Sequence, residues 1–329
     1  MILILSQCTL ESSSEEVIDW ISHLGGNYRR INGNDLKESD YYFLINNNDS
    51  KFSIANNLLN IDNVNVIWYR RWNDDVDRLL PTKKNLSLIN TINTHRKGEH
   101  RHLSTFFFSI LKNKKWINTP DDERITKNEM LLKAKLVGLE IPNTILTTSK
   151  KDAMSFKNKF NKIIIKSISN TTLYMVQKKF FGNYTCLVSD DDVVNFPSNF
   201  YPTLFQEYLE KEYELRIFYC FGKLYSMAIF SQNDKQTEID FRQYNYDKPN
   251  RNVPYKLPKL ISQKIVKLMN YFGCKTGSID MVKTKDGRYV FLEINPVGQF
   301  GMTSKPCHYY IEKVLAIQLI KTDKNERKN

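Results

Sequence analysis

Asp280, Glu293 and Asn295 point most directly to chemistry, because the stretch that carries them, GSIDMVKTKDGRYVFLEIN (277–295), reads as a β-hairpin. Two β-rich runs, Ser278 to Val282 and Tyr289 to Ile294, flank Asp286-Gly287, a dipeptide that favours a two-residue type I′ turn. If Lys285 pairs with Arg288, counting back along both strands sets Asp280 opposite Glu293. Asn295 then shares their face, since strand side chains alternate. Cross-strand neighbours lie about 4.5–5.5 Å apart and like charges there repel, so something positive should sit between the two carboxylates. Oxygen-only ligands suit magnesium, which also takes waters and substrate phosphates, whereas zinc calls for His or Cys. Taken alone, the spacing fits a solvated hairpin with acids on it equally well.

The elements around this hairpin must come from a chain of 329 residues, long enough for two or three compact domains. Hydrophobic content is an ordinary 41%, and no apolar run approaches the ~20 residues that span a bilayer. The start, MILILSQ, is too short for a secretory signal and lacks a basic region, so cytoplasm is the expected location. Cys8, Cys186, Cys220, Cys274 and Cys307 form no CxxC pair, which argues against a disulfide framework or a zinc ribbon. The net charge of +12, from 48 basic and 36 acidic residues, favours an acidic partner through long-range steering. No single Lys/Arg block stands out, so nucleic-acid binding has little support and a solvated surface accounts for most of the lysines.

The first segment reads as α/β: strand 2–5, helix 14–24 ended by Gly25-Gly26, and strands 28–31 and 64–70, an alternation that predicts a parallel sheet. No GxGxxG follows the first strand, which speaks against a nicotinamide-binding domain. VNVIWYRR instead delivers Arg70, Arg71 and Trp72 at a strand's carboxyl end, where open α/β sheets place ligand-contacting groups. The pair could bind an acidic substrate or be a surface pair beside a packed Trp. A helix over about 100–112 leads to the boundary signal WINTP, and a second segment follows with helices 127–137 and 152–160. Lys166 closes the apolar run 162–166, so its ammonium either snorkels to solvent or meets an anion such as phosphate.

From Phe205 a linker leads to two antiparallel strands turning at Gly222-Lys223. Alternation places Glu212, Glu214 and Arg216 on one face and Leu215, Ile217 and Tyr219 on the other. Asp240 and Arg242 share a face; residues 247–258 read as a loop, 260–272 as an amphipathic helix, and 321–329 as a tail too polar to pack.

In order along the chain, Asn118, Lys127, Lys166, the linker Gln206-Glu207-Tyr208, the Glu214-x-Arg216 strand and the D…ExN hairpin resemble the ATP-grasp superfamily. Ser6-Gln7, VIDWI, WYRRW, KEYELRIFY and FLEINPVGQFGMTSKPCHYYIEK look more closely like the grasp-with-spasm peptide maturases, relatives of the microviridin ligases. The resemblance implies an α/β (α+β) ATP-grasp fold. It would comprise a Rossmann-like pre-ATP-grasp domain over 1–117, a central lid domain over 118–204, a C-terminal ATP-grasp domain over 205–320 and a disordered tail over 321–329.

It also implies roles. Lys127 and Lys166 would contact ATP, Gln206 and Tyr208 would bracket adenine with Glu207 between them in the ATP-binding linker, and Glu214 would accept from the ribose hydroxyls. Arg216 and Arg242 would clamp the transferred phosphate and the developing oxyanion. Asp280, Glu293 and Asn295 would hold Mg²⁺, and Arg70 and Arg71 would lie at the peptide cleft. One departure is plain: where many superfamily members carry a glycine-rich phosphate loop, this chain has SISNTTLYMVQKKFFGN, in which Ser167, Ser169, Thr171 and Thr172 could substitute as donors.

The activity implied is ATP-dependent cyclisation of a ribosomal precursor peptide with a leader segment and an acidic, Thr-rich core. Asp or Glu side chains would be joined to Ser/Thr hydroxyls or Lys amines, with no nucleic acid or membrane involved and a homodimer compatible. Two other readings stay open: a ligase of the same fold for free amino acids or small peptides, and a nonenzymatic nucleic-acid or peptide-binding module suggested by the charge.

Overall fold

The computed structural model describes the chain apart from residues 10, 39–40, 46–49, 55–56, 73–78, 81, 83–84, 170–172, 177–178, 183, 233, 235–238, 241–244, 246 and 327–329. It divides into two compact units, residues 1–123 with 310–329, and residues 124–309.

In the first unit β1 (Ile2–Ser6), wholly buried, runs parallel between β2 (Tyr28–Asn32) and a strand from Val66 to Tyr69, with Lys115–Ile117 completing a four-stranded sheet. A five-residue strand buried along its whole length needs cover on both faces, and the helix Ile311–Glu326, which contacts β1 and against which α1 (Ser12–His23) packs, supplies part of it. The helix expected from residue 100 begins earlier, spanning Leu86–Ile110.

The expected disordered tail is corrected at its start, because a helix runs from Ile311 through Glu326. Ile311, Leu315, Ala316 and Leu319 are buried at helical spacing, and buried Asp323 accepts from Asn65 Nδ2 at 2.7 Å. Gly26 lets that helix approach: a Cβ there would lie 2.6 Å from Ile21 and 2.9 Å from Ile320.

The second unit holds β3 (Thr144–Ser149), β4 (Ile163–Lys166), β5 (Cys186–Leu187) and β6 (Asn199–Glu207) in an antiparallel sheet of order β5-β4-β6-β3. A separate hairpin pairs Leu173–Val176 with Lys179–Gly182. The larger sheet comprises β7 (Lys211–Cys220), β8 (Lys223–Phe230), β9 (Arg251–Tyr255), β10 (Thr276–Thr284) and β11 (Tyr289–Asn295), in the order β9-β8-β7-β10-β11.

Leu215, Ile217, Ile279, Met281 and Phe291 on one face of this sheet pack against Met130 and Leu131 of α2 (Lys127–Leu136) and Ile265, Leu268 and Met269 of α3 (Lys259–Tyr271). That leaves the opposite face of β7 and β10 for polar groups. Cys220 pairs with Lys223, so the turn residues are Phe221-Gly222, both at positive φ as type I′ requires, one position earlier than expected. The stretch expected as a loop contains β9, an edge strand that tolerates Pro254. Among the described residues no helix is long and apolar enough to cross a membrane.

Candidate active site

The β10–β11 hairpin places Asp280 opposite Glu293, as expected, but by a different route. Thr284 N–H donates to Arg288 O at 3.0 Å and Gly287 has φ +93°, so the turn holds three residues with its glycine in the left-handed region. Val282 therefore faces Val290 and Met281 faces Phe291, one residue out of the expected register. A bulge between Asp280 and Met281 then leaves Leu292 as the extra residue and restores the register. Ser278 pairs with Asn295, an exposed residue two positions beyond Glu293.

The positive charge that the two acids require comes from the protein itself. Arg216 stands opposite Asp280 on β7, and its Nη1 lies 2.7 Å from both carboxylate oxygens. Lys127, at the first turn of α2, puts Nζ 3.4 Å from Glu293 Oε2 and donates to Ser167 O at 3.3 Å. Asp280 and Glu293 keep 17% and 23% of their side chains exposed, so both carboxylates still reach the cleft. Arg216 Nε is buried with no hydrogen-bond partner, a donor whose desolvation costs about 1–3 kcal/mol. Two carboxylates with an amide oxygen are a donor set that fits Mg²⁺, with substrate phosphates and waters completing the shell. Among the described residues no group of three or more His, Cys, Asp or Glu side chains could hold a metal by protein donors alone.

Asp280 and Glu293 open onto a cleft that is also lined by Lys166, Gln206, Glu207, Tyr208 and Glu214. Ile164, Leu209, Val282 and Leu292 give it apolar walls of the kind a purine ring could fill. The linker side chains anchor rather than reach outward. Gln206 Nε2 donates to Thr144 Oγ1 at 3.0 Å, and the Glu207 carboxylate accepts from Asn143 N and Nδ2 at 3.1 and 3.0 Å. The Glu207 and Tyr208 N–H groups are themselves committed to Asn143 O and Lys162 O. Burial pushes the Glu214 carboxyl up, against the pull of Lys211 and Ser231.

Sequence reasoning missed Lys211, Thr185 and the cleft-lining role of Asp240. Lys211 pairs with Thr284 and Tyr213 with Lys283, so β7 carries a bulge at Glu212. The bulge breaks the alternation: Glu212 is exposed, and Lys211 shares the Glu214 face in its place, Nζ 2.6 Å from Glu214 Oε1. Asp240, buried, accepts from Thr185 N–H at 3.3 Å. The expected residues Arg242, Thr171 and Thr172 lie outside the described residues.

Arg70 and Arg71 belong to the other unit. Arg70 is 2% exposed and donates through Nη2 to Glu11 Oε1 at 2.9 Å and Ser13 Oγ at 3.2 Å, while Arg71, partly exposed, lies 3.3 Å from Glu11 Oε2. Its burial leaves Arg70 no surface for a substrate in this structure; of the pair, Arg71 alone offers one.

No protein-family model matches the sequence, and no curated protein does. Solved structures do match over nearly the whole length. A Chryseobacterium gregarium RiPP-associated ATP-grasp ligase in complex with ADP and a leader and core peptide aligns with TM-score 0.85 at 22% identity, covering 97% of this chain and 96% of its own. The macrocyclase MdnC from Microcystis aeruginosa MRC, bound with precursor peptide MdnA, aligns with TM-score 0.80 at 26% identity over 97% and 99%. The ATP-grasp ligase PsnB, complexed with minimal precursor, Mg and ADP, gives 0.74 at 15% over 98% and 97%. The ATP-grasp fold expected from the order of the motifs is thus the fold of this chain.

Proposed function

We propose that this chain of ATP-grasp fold is an ATP-dependent peptide ligase that closes side-chain rings in a ribosomally made precursor. One observation carries the reading: Asp280 and Glu293 face each other at the mouth of a cleft, each paired with a cation, and Lys166 and the linker 206–208 line the same cleft. Similar structures that hold ADP together with precursor peptides support it.

In this reading adenine lies between Ile164, Leu209 and Leu292 against the linker, Glu214 takes the ribose hydroxyls, and Lys166 and Lys127 meet phosphate oxygens. Asp280, Glu293 and Asn295 would hold Mg²⁺, which neutralises phosphate charge. An Asp or Glu side-chain oxygen of the precursor attacks the γ-phosphorus, the bond to ADP breaks, and an acyl-phosphate forms. A Ser or Thr hydroxyl, or a Lys amine, then attacks the acyl carbon, loses its proton and expels inorganic phosphate, leaving an ester or amide ring. Arg216, partly exposed beside Asp280, would stabilise the oxyanion between these two states, with Arg242 as a second clamp.

The lid and ATP-gripping roles of 118–204 and 205–320, Arg71 as a contact for acidic side chains, and a cytoplasmic location go with this reading. The charge of +12 suits an acidic core peptide. Purified protein with ATP, Mg²⁺ and an acidic, Thr-rich precursor encoded beside it should give product lighter by one water per ring in mass spectrometry. No such loss, with product formed from free amino acids instead, would assign the same acyl-phosphate step to small substrates.

A further inference from the structure

We propose that Lys211 is a positioning residue for nucleotide binding: with Ser231 it fixes one oxygen of Glu214 so that the other is presented to the ribose hydroxyls. The inference rests on the nucleotide reading given above. Both groups bond to the same atom. Lys211 Nζ lies 2.6 Å from Glu214 Oε1, and Ser231 Oγ donates to that oxygen at 3.0 Å. Among the described residues Glu214 Oε2 accepts no hydrogen bond, and it belongs to a side chain that lines the cleft.

Lys211 is not free to serve as a phosphate cation. Its side chain is 8% exposed and its ammonium also donates to Ile239 O at 3.1 Å, so two of its three donors are spent inside the protein. The bulge at Glu212 is what brings it there, since unbroken alternation would turn Lys211 to the other face of β7. An acid held at one oxygen by an ammonium and a hydroxyl has lost its rotational freedom, and the remaining oxygen is aimed before the ligand arrives. Preorganisation of this kind strengthens the bonds that the free oxygen makes with a ligand.

The test compares binding of ATP and 2′,3′-dideoxy-ATP by calorimetry in wild type, Lys211→Met and Lys211→Arg. Wild type should prefer ATP by about tenfold, the worth of one charge-assisted hydrogen bond. Lys211→Met should bring that ratio close to one and raise KM for ATP far more than it lowers kcat, and Lys211→Arg should restore most of the ratio. A merely structural lysine would weaken both nucleotides alike, so a wild-type ratio in Lys211→Met overturns the proposal. Ser231→Ala, which keeps the ion pair, should lower the ratio by about threefold; it decides the matter if Lys211→Met does not fold, an unchanged ratio counting against the proposal. Wild type that binds ATP without preferring it also overturns the proposal. Wild type that binds no ATP overturns the nucleotide reading itself.

Discussion

Arg216 and Arg70 each meet a carboxylate at under 3 Å, Arg216 with Asp280 at 2.7 Å and Arg70 with Glu11 at 2.9 Å, yet the two pairs differ in what surrounds them. The Arg216 pair keeps 11% and 17% of its side chains exposed and borders a cleft through Asp280. The Arg70 pair keeps 2% and 1%; its guanidinium donates to Glu11 and Ser13 and lies 5.7 Å from the Trp68 ring. Sealing the second pair makes it a brace for the carboxyl end of a parallel strand, whereas the open side of the first can still take a ligand. Residue type does not separate the two cases: an arginine paired with a carboxylate signals a site only when the pair still faces a cleft.

The sharpest way to break that contrast is on the open pair. Glu293→Gln removes one charge from the proposed magnesium set without removing a core contact, and ring formation should fall by about a thousandfold or more at an unchanged melting temperature. Near wild-type product would refute the metal assignment. Arg216→Lys keeps the charge and loses the planar fork, so kcat should fall by about a hundredfold while circular dichroism stays unchanged. A drop in stability as large as the drop in rate would make Arg216 a brace like Arg70.

The same contrast shows what the sequence could carry. Motif order was enough for the fold: Asn118, Lys127, Lys166, the linker, Arg216 and the hairpin follow one another as in the ATP-grasp pattern they resemble, and solved ATP-grasp ligases match the fold over nearly the whole chain. The pairing of Asp280 with Glu293 was legible too, though through two errors that cancel: a three-residue turn shifts the register by one and the extra residue at Leu292 shifts it back. The bulge at Glu212 had no such compensation. KEYELRIFY reads as unbroken alternation, which turns Lys211 away from the Glu214 face and puts Glu212 on it instead. Glu11 lies 59 residues from Arg70, and an ion pair of that separation leaves no local signature. The helix through Glu326 was hidden by composition, since its exposed lysines outweigh the spacing of Ile311, Leu315 and Leu319, and its buried acid mimics a tail residue.

On the sealed pair the expected effects fall on stability rather than rate. Arg70→Met leaves the buried Glu11 carboxylate with only Ser13 and the partly exposed Arg71 and should cost about 3 kcal/mol in urea unfolding, with turnover per folded molecule unchanged. Lost turnover at wild-type stability would move Arg70 to the substrate and erase the contrast.

The smallest effect is a pH dependence. Burial pushes the Glu11 carboxyl up, but Arg70, Ser13 and Arg71 together hold it below its ordinary 4.5. A carboxyl lowered by folding adds stability that is fully present above its unfolded pKa and is lost as pH falls through the folded one. The stability difference between wild type and Glu11→Gln should therefore be constant from neutral pH down to about 5 and shrink as the pH falls on to about 3. Taking the difference removes the opposing contribution of Glu123, whose carboxyl burial raises in both proteins. A gap that stays constant to about pH 3 would mean that Glu11 carries no folding-linked charge. The brace would then be held by hydrogen bonds alone, and the contrast with the Asp280 pair would be one of geometry rather than of electrostatics.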